Sequence, residues 1–284
     1  MGIPRAFTRR HFLLGGVGLL GFAVLDARFA EPRWLRISRH TVPLGGAAGA
    51  APVRIVQLSD LHASPDVPLP FIAEAIDLAI AQKPDLIALT GDFVTDSQAW
   101  PAGYAAVLAR LPAAAPTFAC LGNHDGGVWR VGATSNPTVE PVLGLLRESN
   151  IPCLINASCG LTLRGRKFQI IGTGDLWSAM CQPAPAFAAL PPRADARRVV
   201  LNHNPDAKDL FAPHDWDLML CGHTHGGQVR LPLIGTPFAP VSDKRYVEGL
   251  HRWSGRWLHV TRGVGNLHGV RVNCRPEISV LDLV

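Results

Sequence analysis

Eight polar side chains (Asp60, His62, Asp92, Asn123, His124, His203, His223 and His225), gathered in five short clusters, stand out along this chain of 284 residues. Each cluster follows an apolar run. Asp60-Leu61-His62 follows residues 54–59, and Gly91-Asp92 follows 85–90. Gly122-Asn123-His124-Asp125 follows 117–121, His203 follows 198–202, and Gly222-His223-Thr224-His225 follows 217–221. Carboxylate, amide and imidazole donors in company suit a divalent ion such as Mn, Fe or Zn, and no thiolate is needed. The one-residue spacing of Asp60 and His62, and of His223 and His225, lets both members of a pair face the same way on extended chain. The glycines at 91, 122 and 222 are expected to let the backbone turn sharply at each exit. Singly the clusters are weak signals. A lone His at a strand end is commonly a hydrogen-bonded structural residue. Gly174-Asp175 also follows an apolar run, and it reads as a turn. Gathered together, the eight would be costly to desolvate without a cation or a charged substrate.

The apolar runs 53–58, 86–89, 117–121, 168–171, 199–201 and 218–220 read as buried strands. Between the first two, Ile72, Ala75, Ile76, Ala79 and Ile80 repeat at helical spacing, and Pro84 ends the run. Weaker helices fit 102–111, 138–148 and 205–211. Strands alternating with helices imply an α/β fold with much parallel pairing, and there the carboxyl ends of strands converge on one crevice. Two metals in that crevice would clamp the attacking and leaving oxygens of an in-line displacement. The C-terminal third differs: short strands at 228–231, 245–248, 257–260 and 278–283 call for a second, more antiparallel sheet. Residues 44–52, rich in Gly and Ala, read as a loop or hairpin.

The formal net charge is +5. It resides in the first 40 residues, where Arg5, Arg9, Arg10, Arg28, Arg33, Arg36 and Arg39 face only Asp26 and Glu31. The remaining 20 basic and 20 acidic side chains cancel, so the body has no bulk attraction for a polyanion and no nucleic-acid partner is expected. Thr8-Arg9-Arg10-His11-Phe12-Leu13-Leu14 and the apolar stretch to Leu25 have the form of a leader with a twin-arginine export signal. Gly16, Gly18 and Gly21 match a dinucleotide-binding pattern, but no strand precedes them. Residues 1–33 are therefore expected to be a signal or anchor, and 34–284 a single domain. No clean cleavage site follows, so an uncleaved leader would associate the protein with a membrane. Of the six cysteines, Cys120 and Cys221 read as buried thiols, while Cys153 and Cys159 could bridge in an oxidising compartment.

The ordered set D-x-H, GD, GNHD, H, GHTH resembles the calcineurin-like metallophosphoesterase family. Gly226-Gly227-Gln228-Val229 after GHTH, and Pro276-Glu277-Ile278 near the end, resemble the branch of the exported YkuE and YaeI proteins. The resemblance implies a four-layer α/β/β/α sandwich of two mixed sheets flanked by helices. It implies two divalent metal ions, Mn favoured. Asp60, His62 and His225 would bind the first, Asp92 would bridge, and Asn123, His203 and His223 would complete the second. It implies a metal-bridging water or hydroxide as nucleophile, His124 as general acid toward the leaving oxygen, and Asp125 orienting His124. The expected activity is hydrolysis of a phosphomonoester, phosphodiester or pyrophosphate outside the cytoplasm, on a small molecule or a lipid head group. The twin-arginine export machinery would be a partner. The alternative, a non-catalytic metal-binding scaffold on the same fold, predicts missing ligands or a lost His124.

Substrate choice is expected in loops over the crevice: 63–70, 126–137 with Trp129 and Arg130, 175–177, and 263–271. His268 and Arg271 are the candidates for contacting a second phosphate or head group. Trp253 and Trp257 read as core.

Overall fold

Strand β2 (Val53–Leu58) divides its apolar residues by alternation. Val53 and Ile55 enter one core, and Val56 and Leu58 enter another. The same split repeats in strand β6 (Arg166–Gly172), where Ile170 and Ile171 face different cores. Both strands are thus covered on two faces, as buried α/β strands are.

The architecture follows from that pattern in a computed structural model describing residues 18, 21–45, 51–96, 100–128, 136–193 and 195–284. The first sheet has the order β1 (Arg36–Val42), β11 (Glu277–Leu283), β2, β3 (Leu86–Thr90), β4 (Thr117–Cys120). Strands β2, β3 and β4 run parallel, β11 is antiparallel to β2, and β1 is parallel to β11. The second sheet has the order β5 (Ala157–Leu163), β6, β7 (Arg197–Leu201), β8 (Leu218–Cys221), β10 (Arg256–Val260), β9 (Gly249–Trp253). The middle core lies between the sheets. Helices α1 (Leu69–Ala81), α2 (Tyr104–Leu108), α3 (Arg110–Ala114) and α4 (Glu140–Glu148) close the outer face of the first sheet. Helix α5 (Pro183–Ala188) and a 3-10 turn at Pro205–Asp209 close that of the second. The result is the four-layer sandwich of two mixed sheets flanked by helices.

Helix α1 buries Ile72, Ala75, Ile76 and Ala79 as its spacing predicts, and ends at Ala81 before Pro84. Other elements depart from expectation. Residues 102–111 form two short helices, and the expected helix at 205–211 is a 3-10 turn, opened by the Asn204 side chain accepting from Asp206 N. Residues 228–231 make only isolated bridges, and 245–248 begin in a 3-10 turn. The second sheet is not mainly antiparallel: β6, β7, β8 and β10 run parallel, and the strand at the C-terminus joins the first sheet. Strand β1 escapes a search for apolar runs because it is a polar edge strand paired on one side only. All six thiols are free, with Cys120 and Cys221 buried.

A polar tie holds the sheets together beneath the strand ends. The fully buried Gln57 amide donates to Thr90 Oγ1 at 2.8 Å and to the Cys221 carbonyl at 2.9 Å. The ends of β2, β3 and β8 are thereby locked to one another.

Candidate metal centre

Every expected metal-binding side chain sits just beyond the carboxyl end of a strand, and all are at most 4 % exposed. Five of them hold a left-handed backbone: Asp60 (φ 52°), His62 (47°), Asp92 (56°), His223 (71°) and His225 (50°). Such φ values are uncommon outside glycine and cost on the order of 1–3 kcal/mol each. The surrounding sheets bear that cost, and the side chains are aimed inward toward one another.

The donors form two interlocking sets. In the first, His62 Nε2 lies 3.1 Å from His225 Nε2, and His225 Nε2 lies 3.4 Å from Asp60 Oδ1. In the second, His223 Nδ1 lies 2.9 Å from Asn123 Oδ1 and 3.3 Å from His203 Nε2. Asp92 Oδ2 stands between them, 3.4 Å from His62 Nε2 and 3.2 Å from His203 Nε2. Asp60, His62 and His225 come close enough to share an ion, as do Asp60, Asp92 and His203.

The donor set fits divalent ions on chemical grounds. His203 Nδ1 donates to the Thr90 carbonyl at 2.7 Å, which turns Nε2 toward the Asp92 carboxylate. A buried carboxylate facing an imidazole in this way draws positive charge to the floor. Burial opposes a charge on His203, yet the Asp92 carboxylate outweighs it and pushes the imidazole up to about 10. Burial, reinforced by neighbouring imidazoles, brings His223 down to about 3 and His225 well below the ordinary value. Both are neutral donors, the form in which imidazole binds metal. Donor atoms about 3 Å apart also match ligands held at ~2.1 Å from a common ion.

Gly122 and Gly222 serve a purpose other than the expected sharp turn. Neither has a positive φ; a Cβ at Gly122 would overlap the Asp92 carboxylate, and one at Gly222 would overlap Ser59 and Asp60. They are small because candidate ligands occupy the space. Only Gly91, at φ 86°, meets the conformational reading.

His124 lines the cavity above the donors, and its backbone N–H donates to Asp92 Oδ1 at 2.9 Å. Its Nδ1 donates to the Thr95 carbonyl at 2.5 Å. Asp125 was expected to orient this ring, and the structure gives that task to Thr95. The Asp125 carboxylate instead accepts from the N–H groups of Asp92, Phe93 and Gly122, pinning two loops together. Arg271 also departs from expectation. It is fully buried, and its guanidinium donates to the carbonyls of Arg262, Gly263, Gly265 and Cys274, so it braces the loop and does not face substrate. His268 does line the cavity. Asp175 is the turn residue it resembled, accepting from Ser178 N at 2.9 Å. Trp129 and Arg130 lie outside the described residues. Trp253 stacks on Trp216 in the core.

The cavity over the donors measures about 500 Å³. Asp92, Asn123, His124, His223 and His225 form its polar floor, and Trp177, Val229, Phe238, Leu267 and Val270 its apolar wall. Trp177 packs edge-on to His223 with centroids 4.3 Å apart. Thr95 and Phe238 escape the sequence reading. The apolar stretch Leu231-Pro-Leu-Ile-Gly-Thr-Pro-Phe238, which suits neither helix nor strand, was the available signal.

Comparison with known proteins agrees with this geometry. A family profile described as calcineurin-like phosphoesterase matches residues 53–227. The chain is 45% identical to "Phosphodiesterase YaeI" of Escherichia coli over 282 residues, covering 98% of this chain and 99% of that one. It is 29% identical to "Uncharacterized metallophosphoesterase YkuE" of Bacillus subtilis, covering 98% of each. It is 27% identical to "UDP-2,3-diacylglucosamine pyrophosphatase LpxG" of Chlamydia trachomatis, covering 90% and 91%. With the profile spanning more than half its length, the chain belongs to the calcineurin-like metallophosphoesterase family, in the branch that holds YaeI and YkuE.

Proposed function

We propose that this protein hydrolyses phosphodiester or pyrophosphate links with two divalent ions, acting outside the cytoplasm. The observation that carries the reading is the position of Asp92 Oδ2 between two sets of buried donors at the floor of one cavity. Asp60, His62 and His225 would hold one ion, Asn123, His203 and His223 the other, and Asp92 both. A mixed oxygen and imidazole set without thiolate suits Mn, Fe or Zn, and the family resemblance favours Mn among them. When bound, the ions lower the pKa of water and neutralise phosphate oxygens.

The chain's own groups supply the rest. The Thr95 carbonyl occupies His124 Nδ1–H, so the proton that His124 delivers to a leaving oxygen travels from Nε2. Burial holds His124 below the ordinary imidazole value, with Asp92 pulling the other way. The hydrogen bond from His124 N to Asp92 Oδ1 fixes the acid relative to the floor. Trp177 covers His223 and excludes water from that side. The names of the Escherichia coli and Chlamydia relatives, a phosphodiesterase and a pyrophosphatase of a diacylated sugar nucleotide, support the bond type.

Metal analysis with turnover of bis(p-nitrophenyl) phosphate tests the reading. A protein holding less than one metal per chain and inert with Mn would overturn it, and leave the non-catalytic scaffold. Export rests on Arg9 and Arg10, which lie outside the described residues. Among the described residues no helix is long and apolar enough to cross a membrane. Arg9→Lys with Arg10→Lys should strand the protein in the cytoplasm on fractionation; unchanged export would refute the twin-arginine route.

A further inference from the structure

Most of the large apolar side chains exposed among the described residues fall in two elements. One is the turn after the cavity wall. Leu233 and Ile234 stand at its tip, 108% and 68% exposed, and Phe238 follows at 72%. The turn is built, with Leu231 and Gly235 exchanging both backbone hydrogen bonds at 2.8 and 2.9 Å. Leu233 holds a left-handed φ of 66°. Nothing in folding favours a leucine there, since it buries no surface and occupies a conformation suited to Gly or Asn. The other element is the end of the apolar N-terminal stretch, where Phe22, Val24, Leu25 and Phe29 are all exposed.

One segment joins these elements. On one edge of residues 271–273, Arg230 N donates to the Val272 carbonyl at 2.9 Å and Val272 N to the Gln228 carbonyl at 3.0 Å. On the other, Arg271 N donates to the Ala27 carbonyl at 3.0 Å and Asn273 N to Glu31 Oε2 at 2.8 Å. Arg28 adds a bond to the Gly269 carbonyl and an ion pair with Asp66. The apolar leader therefore enters the body beside the turn, at the cavity rim that Leu267, His268 and Val270 form.

We propose that the turn at 231–235, with Phe238, is a membrane-interface contact that seats the cavity mouth on a lipid bilayer. The leader singles out the bilayer as occupant, because a second copy docked on the turn would leave Phe22, Val24 and Leu25 in water. Each large apolar side chain moved from water into hydrocarbon favours partition by about tenfold to a hundredfold. Resting on the phosphoesterase reading, the substrate class becomes an amphiphile held in the bilayer, its phosphate at the polar floor and its apolar part along Val229, Phe238 and Val270.

Hydrogen exchange of the full chain, with and without vesicles of phosphatidylcholine and phosphatidylglycerol, tests the contact. Amides of 230–240 should exchange severalfold more slowly with vesicles, while those of the β5–β6 hairpin stay unchanged. No protection at 230–240 would overturn the proposal, and so would protection that grows with protein concentration in the absence of vesicles. The variant Leu233→Asn/Ile234→Ser alters neither cavity wall nor floor. Its vesicle partition should fall at least about tenfold, with bis(p-nitrophenyl) phosphate turnover in buffer within twofold of wild type. Unchanged partition, or an equal loss of turnover in buffer, would refute it. A wild-type chain that protects the turn yet never cleaves the aqueous diester would sink the phosphoesterase reading alone.

Discussion

The floor and the rim of the cavity are built on opposite principles. The floor consists of residues at strand ends, buried, several in left-handed backbone, and interlocked at donor separations of 2.9 to 3.4 Å. The rim consists of loops whose side chains are apolar and partly exposed, and whose neighbours are far away in sequence. The comparison teaches that chemistry is fixed by rigid elements, while access to it is set by loops that can vary without disturbing the ligands.

If that division is right, damage at the floor abolishes chemistry and damage at the rim changes affinity or stability. Asp92→Ala should have the largest effect, a loss of diester turnover of at least about 10⁴-fold, since one carboxylate serves both donor sets. Steady-state kinetics would show this, and activity near wild type would remove Asp92 from the centre of the account. His124→Ala should keep the metals and lower turnover by ~10²–10⁴. The loss should shrink for good leaving groups; an equal loss across leaving groups would make His124 a charge stabiliser. Arg271→Met should leave KM alone and lower stability by about 3 kcal/mol, because buried carbonyls lose their donor. A raised KM with unchanged denaturant midpoint would return Arg271 to the substrate. The smallest effect belongs to Trp177→Ala, which should raise KM about fivefold with little change in kcat, the scale of one lost aromatic contact.

The floor was legible because each candidate ligand follows a buried apolar strand, and that pattern survives translation into sequence. The distribution of roles near it was less legible. Asp125 stands next to His124 in sequence, yet its carboxylate turns toward the backbone of Asp92, Phe93 and Gly122, while the carbonyl of Thr95, 29 residues away, holds the ring. A backbone carbonyl leaves no signature in residue type. The glycines at 122 and 222 were placed correctly for the wrong reason, since the volume of a neighbouring carboxylate is a tertiary property. Arg271 looked like an anion contact because a buried Arg satisfied by carbonyls has the same letter as an exposed one. In the fold, β1 and β5 stayed hidden because edge strands carry polar residues and need no apolar run.

The most direct test of the central claim is anomalous scattering from crystals of the Mn-loaded full chain. Two metal peaks should appear, one beside Asp60, His62 and His225 and one beside Asn123, His203 and His223, with the Asp92 carboxylate touching both. A single peak, or a second peak away from Asp92, would contradict the two-ion floor.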